Sequence, residues 1–125
     1  MAGPIDRLGG RERLEGVIRD FYDRVFADVM IGFLFRNASK ERLIEKETEL
    51  MAAHFGAEET YTGRPIREAH ERHRIMGGQF DRRLQILKET LEDHNVPREV
   101  RDAWIAHTLS LRDQVTRDRE GECRP

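Results

Sequence analysis

Residues 14–26 have the sequence LEGVIRDFYDRVF. In this stretch the apolar residues recur at steps of three and four, and mostly charged residues occupy the positions between them. That spacing predicts an amphipathic α-helix of about 16 residues, with Tyr22 at the edge of its apolar face. Gly9 and Gly10 precede the helix and can supply the unusual backbone angles of a tight entry turn.

A second helix is predicted after a connector of residues 28–38, which contains enough apolar residues to indicate that it packs inward. Ser39 is the predicted N-cap of this helix, and Glu41 in its first turn is favourable to the helix dipole. Glu47 stands at the centre of the predicted apolar face. The apolar connector residues are Ile31, Phe33, Leu34 and Phe35, and the residues that share the helix face with Glu47 are Leu43, Leu50, Met51, His54 and Phe55.

Two further long helices are predicted beyond a loop at residues 56–65. Residues 66–70 have room only for a short helix, because Gly77 and Gly78 soon interrupt the pattern. The third long helix should end at Asn95, which tolerates the left-handed backbone conformation, and the fourth should begin at Pro97 and fray from about residue 118. The predicted stripes are Phe80, Leu84, Leu87 and Leu91, then Val100, Ala103, Trp104, His107, Leu111 and Val115. The absence of an alternating strand pattern makes the predicted fold all-α.

Composition limits the chain to one domain with a thin core, since 38% of its 125 residues are apolar and 37% are charged. The 22 basic and 24 acidic residues are interspersed, so the net charge of −2 provides no basic stripe for nucleic acid. Neither a membrane span nor a signal peptide is indicated. Cys123 is the only cysteine, and the histidines are too dispersed for a zinc site. We therefore expect a cytoplasmic protein.

Several short strings, in their order and spacing, give the chain a resemblance to a known family. They are Leu8-Gly9-Gly10, Phe21-Tyr22-Asp23-Arg24-Val25, Phe33-Leu34-Phe35, Tyr61-Thr62-Gly63, Arg67-Glu68-Ala69-His70 and Asn95-Val96-Pro97. Over residues 5–115 the chain resembles the truncated haemoglobins, most closely the group I branch. The resemblance implies a two-on-two helical sandwich around one haem, with a very short proximal helix in a long loop. We expect this globin domain at residues 1–118 and a polar, disordered tail at 119–125.

The resemblance implies that His70 is the proximal iron ligand, because histidine is the residue of the short helix able to provide that bond. Outside the family pattern, a lone histidine among charged residues would be solvated, and His73 does not fit the family spacing. Tyr22 corresponds to the family's distal tyrosine, whose hydroxyl stabilises bound dioxygen, although a tyrosine at this edge can also use its hydroxyl elsewhere. Phe35 matches the aromatic residue that packs against the porphyrin, and a core phenylalanine would be buried in the same way.

Glu47 departs from the family, which usually presents glutamine or another neutral group to the distal pocket. An ionised carboxylate would repel bound, partly anionic dioxygen. Either burial favours the protonated carboxyl, or Tyr22 donates to Glu47 and turns away from the ligand. In a third interpretation the helix rotates and Glu47 reaches solvent.

Lys46 lies at the haem rim in the resemblance, where it either pairs with a propionate or ligates the iron as a deprotonated amine. Leu43 stands where many globins carry a distal histidine and offers no ligand atom. Arg83 replaces a smaller apolar residue on the haem-facing side of the third long helix. It either reaches a propionate, as Arg64 and Arg67 can, or balances Glu47.

The resemblance implies reversible binding of dioxygen and nitric oxide to a non-covalent haem b, in a monomer or weak dimer. No Cys-x-x-Cys-His string is present for covalent attachment. The alternatives are nitric oxide dioxygenation, peroxidase-like or nitrite chemistry, and a haem-free interaction module. The implied haem contacts are Phe35, Leu43, Lys46, Arg64, Ile66, Arg67, Ile75, Phe80, Arg83, Leu87 and Trp104, and the implied distal pocket is Tyr22, Glu47, Leu50 and Met51.

Overall fold

The computed structural model describes residues 3–56 and 76–112, and within these two stretches it contains helices and no β-strand. This confirms the predicted all-α fold. The predicted features that lie outside the described residues are the loop after residue 56, the short helix at 66–70, the end of the fourth helix from Val115 onward and the tail at 119–125. The helices are α1 (Pro4–Leu8), α2 (Arg11–Ala27), a 3₁₀ turn (Gly32–Phe35), α3 (Lys40–His54), α4 (Gly77–Asp93) and α5 (Arg98–Ser110).

Helix α2 lies at the centre of the arrangement and packs against α3, α4 and the 3₁₀ turn. Its apolar face is buried as the spacing predicts. Helices α4 and α5 also pack against each other. The four long helices thus form two pairs, α2 with α3 and α4 with α5, which are joined where α2 packs against α4. The buried residues of α2 are Leu14, Val17, Ile18, Phe21, Tyr22 and Val25.

One helix before α2 was not predicted from the sequence. Helix α1 is a single short helix that begins at Pro4 and buries only Leu8. A helix of five residues with one buried apolar side chain gives no periodic signal. Gly9 and Gly10, with φ angles of 118° and 90°, then form the expected tight turn into α2.

The connector between α2 and α3 packs inward only in part. Ile31 is buried and Leu34 and Phe35 pack against the core, whereas the Phe33 side chain is exposed. The Asp28 side chain organises the connector, because its Oδ2 accepts the backbone N–H groups of Met30 and Ile31 at 3.0 and 3.1 Å. The Arg82 guanidinium of α4, which donates to Oδ1 of Asp28 at 2.7 Å, holds the pKa of that carboxyl below its ordinary value.

The connector also passes very close to the end of α2. A Cβ atom built on Gly32 would lie 2.7 Å from the carbonyl oxygen of Phe26, closer than such atoms approach in proteins. Only glycine fits at this point. The close approach fixes the position of the 3₁₀ turn relative to the last turn of α2.

Helix α3 begins as predicted and is rotated slightly from the predicted orientation. The Ser39 hydroxyl accepts a hydrogen bond from the Arg42 backbone N–H at 3.2 Å, which confirms the N-cap. The predicted face is only partly correct, since Leu43 and Leu50 are half-buried and His54 is exposed. The fully buried residues of α3 are Ile44, Thr48, Met51 and Ala52.

Helices α4 and α5 meet at a turn that the sequence predicted well. Asn95 adopts φ 53°, the left-handed conformation expected at the end of α4, and Pro97 is the N-cap of α5. Ala103 was predicted in the buried stripe of α5, but it is exposed. Thr108 is buried instead, so the contact face of α5 lies slightly to one side of the predicted stripe.

Two histidines stack where α3 meets α5. The ring centroids of His54 and His107 are 4.0 Å apart with an interplanar angle of 35°. Beside them the rings of Phe55 and Trp104 meet edge to face at 5.8 Å. Burial lowers the pKa of His107, and the charge of His54 lowers it further.

Lowering the pH from about 7.5 to about 5.5 is expected to destabilise the fold partly through His107. Its pKa is lower in the folded than in the unfolded chain, so below about pH 6.5 the unfolded state binds the proton more readily. The loss of stability then grows until the pH passes the folded pKa. Thermal melts at both pH values should show a smaller drop in Tm for His107→Gln than for the wild type. An identical drop in both proteins would contradict this assignment.

Candidate functional site

Three polar side chains from three helices meet inside the fold. The Tyr22 hydroxyl of α2 donates to Oε1 of Glu47 in α3 over 3.5 Å, and Nη2 of Arg83 in α4 lies 3.7 Å from the same oxygen. We call these residues the distal cluster. Both distances are longer than those of a strong charge-assisted hydrogen bond, so the contacts are loose.

The helical register explains why these residues meet. Tyr22 follows Phe21 on the buried face of α2, Glu47 precedes the buried Thr48, and Arg83 precedes Leu84. Tyr22 is 5% exposed, while the side chains of Glu47 and Arg83 are 17% and 24% exposed. Glu47 therefore does not extend freely into solvent, and the predicted contact in which Tyr22 donates to it is present.

Arg83 also contacts the aromatic interior. Its guanidinium carbon lies 4.8 Å from the centroid of the Phe21 ring, within the range of a cation–π interaction. Arg83 lies close enough to Glu47 for the predicted role in which it balances that carboxylate.

Burial keeps the Tyr22 hydroxyl protonated, and the charge of Glu47 acts in the same direction. Burial raises the pKa of Tyr22 far above its ordinary value, and the nearby Glu47 carboxylate raises it further, while Arg83 acts in the opposite direction. Burial opposes the charged form of Arg83, but Tyr22 and Glu47 more than offset that effect and raise its pKa. At neutral pH the cluster therefore contains a hydroxyl donor and a guanidinium cation.

Aromatic rings surround Tyr22 on the side of the connector. The Tyr22 ring meets the rings of Phe26 and Phe35 edge to face, with centroids 6.4 and 6.5 Å away. The Phe26 and Phe35 rings are 5.4 Å apart. Phe35 is thus placed beside Tyr22. Phe26 was not predicted as a site residue, although its spacing of four from Tyr22 puts both on one helix face.

The other predicted site residues are distributed around the core. Met51, Leu87, Trp104 and Phe80 are buried, and Leu43 and Leu50 are half-buried. Phe80 lies beneath the Arg112 guanidinium, which is 5.1 Å from the ring centroid. Five predicted site residues lie outside the described residues: Arg64, Ile66, Arg67, His70 and Ile75.

Lys46 lies in an ion pair within α3. Its Nζ is 3.2 Å from a carboxylate oxygen of Glu49 and 3.6 Å from one of Glu45. Glu49 is itself buried, and the sequence analysis did not single it out. The spacing of three between Lys46 and Glu49 on a helix was the signal available for this pair.

Comparison with known proteins gives one consistent result. Residues 5–117 match the family described as bacterial-like globin. The group 1 truncated haemoglobin GlbN of Mycolicibacterium paratuberculosis is 31% identical over 117 residues, which cover 94% of this chain and 86% of that protein. The chain belongs to the group I truncated haemoglobin family.

Solved structures of truncated haemoglobins have the same fold. The ferric truncated haemoglobin of Tetrahymena pyriformis superposes with a TM-score of 0.81 at 22% identity, covering 92% of this chain and 98% of that one. The 2/2 haemoglobin of Synechococcus, in the cyanomet state with covalently attached haem, gives 0.81 at 25% identity, covering 90% and 95%. The described helices of this truncated haemoglobin thus form the expected globin-like sandwich.

Membership of this family implies a haem cofactor, and the described residues fit one. Leu34, Phe35 and Leu43 pack against the core but stay half exposed, which leaves apolar surface that a flat macrocycle can cover. Beside Phe35, the distal cluster offers a hydroxyl and a guanidinium as hydrogen-bond donors.

Among the described residues of this truncated haemoglobin, no helix is long and apolar enough to cross a membrane, and no three potential metal-ligating side chains cluster together.

Replacing Glu47 with alanine is expected to lower the free energy of unfolding by about 1–3 kcal/mol, because it leaves the Arg83 guanidinium largely buried without its carboxylate. Chemical denaturation measures the change. Glu45→Ala is the matched control, since that carboxylate is on the same helix and 64% exposed, and it should change stability by no more than about 0.5 kcal/mol. Equal effects of the two substitutions would show that the distal cluster does not stabilise the fold.

Proposed function

We propose that this truncated haemoglobin holds haem b non-covalently through His70 and reversibly binds dioxygen and nitric oxide on the side of Tyr22. The observation that carries the proposal is the buried, protonated Tyr22 hydroxyl beside Phe35. When bound, haem supplies an iron atom with a coordination position for a diatomic ligand. The residues of the chain then determine which ligand is stabilised there.

His70 is the proposed proximal ligand. It lies outside the described residues, and its role comes from the family pattern around Arg67-Glu68-Ala69-His70. Other histidines have partners elsewhere, which supports this assignment. Nε2 of His94 lies 2.7 Å from a carboxylate oxygen of Asp20, and His54 stacks on His107. His73 remains the competitor, and it does not fit the family spacing.

Tyr22 is the proposed hydrogen-bond donor to bound dioxygen. Dioxygen on ferrous haem has partial superoxide character, so a phenolic donor stabilises it electrostatically. The existing contact from Tyr22 to Glu47 is long at 3.5 Å, so little is lost when the hydroxyl turns toward a ligand. Arg83 offsets the negative charge of Glu47, which would otherwise repel a partly anionic ligand.

Lys46 is proposed to act at the haem rim and not as an iron ligand. Its ammonium group already pairs with Glu49, and iron ligation requires the neutral amine, which would leave the buried Glu49 carboxylate without that cation. Pairing with a propionate requires no such deprotonation. The unliganded ferrous protein should therefore have the high-spin spectrum of five-coordinate haem.

Reconstitution with hemin tests the proposed cofactor site. The wild-type protein is expected to give a Soret band, and His70→Ala is expected to weaken binding strongly and alter the spectrum, because the proximal nitrogen is lost. His73→Ala is the matched control and should retain the wild-type spectrum. A missing Soret band in the wild type would indicate the haem-free interaction module, and a band indifferent to His70→Ala would exclude His70 as the ligand.

Replacing Tyr22 with phenylalanine tests the proposed distal donor. Loss of the hydroxyl is expected to accelerate dioxygen dissociation from the ferrous protein by about ten- to a hundredfold, since a hydrogen bond to a partly charged group is removed. Carbon monoxide dissociation is the internal control, because that ligand carries little negative charge and should respond much less. Equal acceleration for both ligands would point to altered packing and not to a lost hydrogen bond.

A further inference from the structure

The positive charge inside the distal cluster has a consequence beyond dioxygen binding. Arg83 is on α4, its side chain is 24% exposed, and it faces Tyr22 of α2 and Glu47 of α3. A guanidinium remains protonated at all physiological pH values and offers up to five N–H donors. The cluster thus contains a fixed cation among aromatic rings, where charge interactions are stronger than in water.

Glu47 neutralises this cation only loosely. The separation of 3.7 Å exceeds the 2.7–2.9 Å typical of a bidentate arginine–carboxylate pair. The guanidinium also rests on the Phe21 ring, 4.8 Å from its centroid, which holds the cation in the interior. Glu47 therefore occupies the place of an anionic partner for Arg83 without binding it tightly.

We propose that Arg83 determines the ligand selectivity of the distal cluster, raising its affinity for small monovalent anions, of which azide and nitrite are examples, relative to its affinity for neutral ligands. The inference rests on the proposed function, because it requires haem to bind beside Tyr22. The Tyr22 hydroxyl and Nη2 of Arg83 lie 3.5 and 3.7 Å from the same Glu47 oxygen, so an anion placed there accepts a hydrogen bond from Tyr22 and is attracted by Arg83. Glu47 opposes it by repulsion and by competition for the same donors.

Because Arg83 and Glu47 carry opposite charges, substitutions that remove these charges should have opposite effects on anion affinity. Removing the cation should weaken anion binding, and removing the carboxylate charge should strengthen it. A neutral ligand should respond weakly to either change. A purely steric role for the two side chains would not produce this reversal of sign, because azide and carbon monoxide are both small and rod-shaped.

The test uses the full chain reconstituted with haem. Sodium azide is titrated into the ferric protein and followed by the Soret band, and carbon monoxide affinity is measured on the ferrous protein. In Arg83→Met the ratio of azide affinity to carbon monoxide affinity should fall about tenfold or more. In Glu47→Gln the same ratio should rise severalfold.

Lys88→Gln is the matched control for Arg83→Met, since Lys88 is exposed on the same helix and the charge change is equal. It should leave the ratio within about twofold of the wild type.

Two results would overturn the proposal. One is an unchanged affinity ratio in both Arg83→Met and Glu47→Gln, and the other is a change of the same sign in both. If Arg83→Met does not fold, Glu47→Gln and the charge-conserving Arg83→Lys still decide, because Arg83→Lys should retain most azide affinity. A wild-type protein without a Soret band refutes the proposed haem function itself. A normal Soret band with charge-independent azide binding refutes only the anion proposal.

Discussion

The burial of one face of α2 is the constraint on which the rest of the structure depends. Leu14, Val17, Ile18 and Val25 have no exposed surface, and both α3 and α4 pack against this helix. A residue at the edge of the same face is therefore brought within reach of both neighbouring helices. Tyr22 has this position, which is why its hydroxyl meets a carboxylate from one helix and a guanidinium from the other.

The high charge content also has a structural use outside the distal cluster. Asp20 of α2 contacts Arg24 at 3.0 Å and His94 at 2.7 Å, and Arg24 reaches Asp93 at 2.8 Å. Burial opposes ionisation of Asp20, yet Arg24 and His94 together lower its pKa. Each half-exposed pair contributes little energy, but the connected group fixes the end of α4 against α2. Ion pairs thus add contacts between helices to a core that contains few apolar residues.

The sequence predicted those features whose signals are local. The three-and-four spacing of α2, the Ser39 cap and the left-handed Asn95 were all confirmed because each depends on neighbouring residues in the chain. Ala103 was predicted to be buried and is exposed. This prediction was wrong because small rotations of a helix depend on the partner that packs against it.

For the residues of the distal cluster, the sequence predicted several alternative contacts and did not distinguish among them. The family resemblance named Tyr22, Glu47 and Arg83, but it could not choose among solvent exposure, propionate contact and mutual pairing. That choice depends on the distances between three helices, which no local pattern encodes. For Lys46 and Glu49 the limit is different, since their spacing of three indicates the pair, whereas the burial of Glu49 depends on how α3 packs against the core.

The connector between α2 and α3 determines where one side of the proposed binding site lies. Gly32 lies against the backbone of Phe26, and Asp28 is tied to Arg82, so contacts within the polypeptide hold Phe26 and Phe35 beside Tyr22. All of these contacts join residues of the polypeptide to one another. They therefore position the aromatic side of the proposed haem site from within the polypeptide.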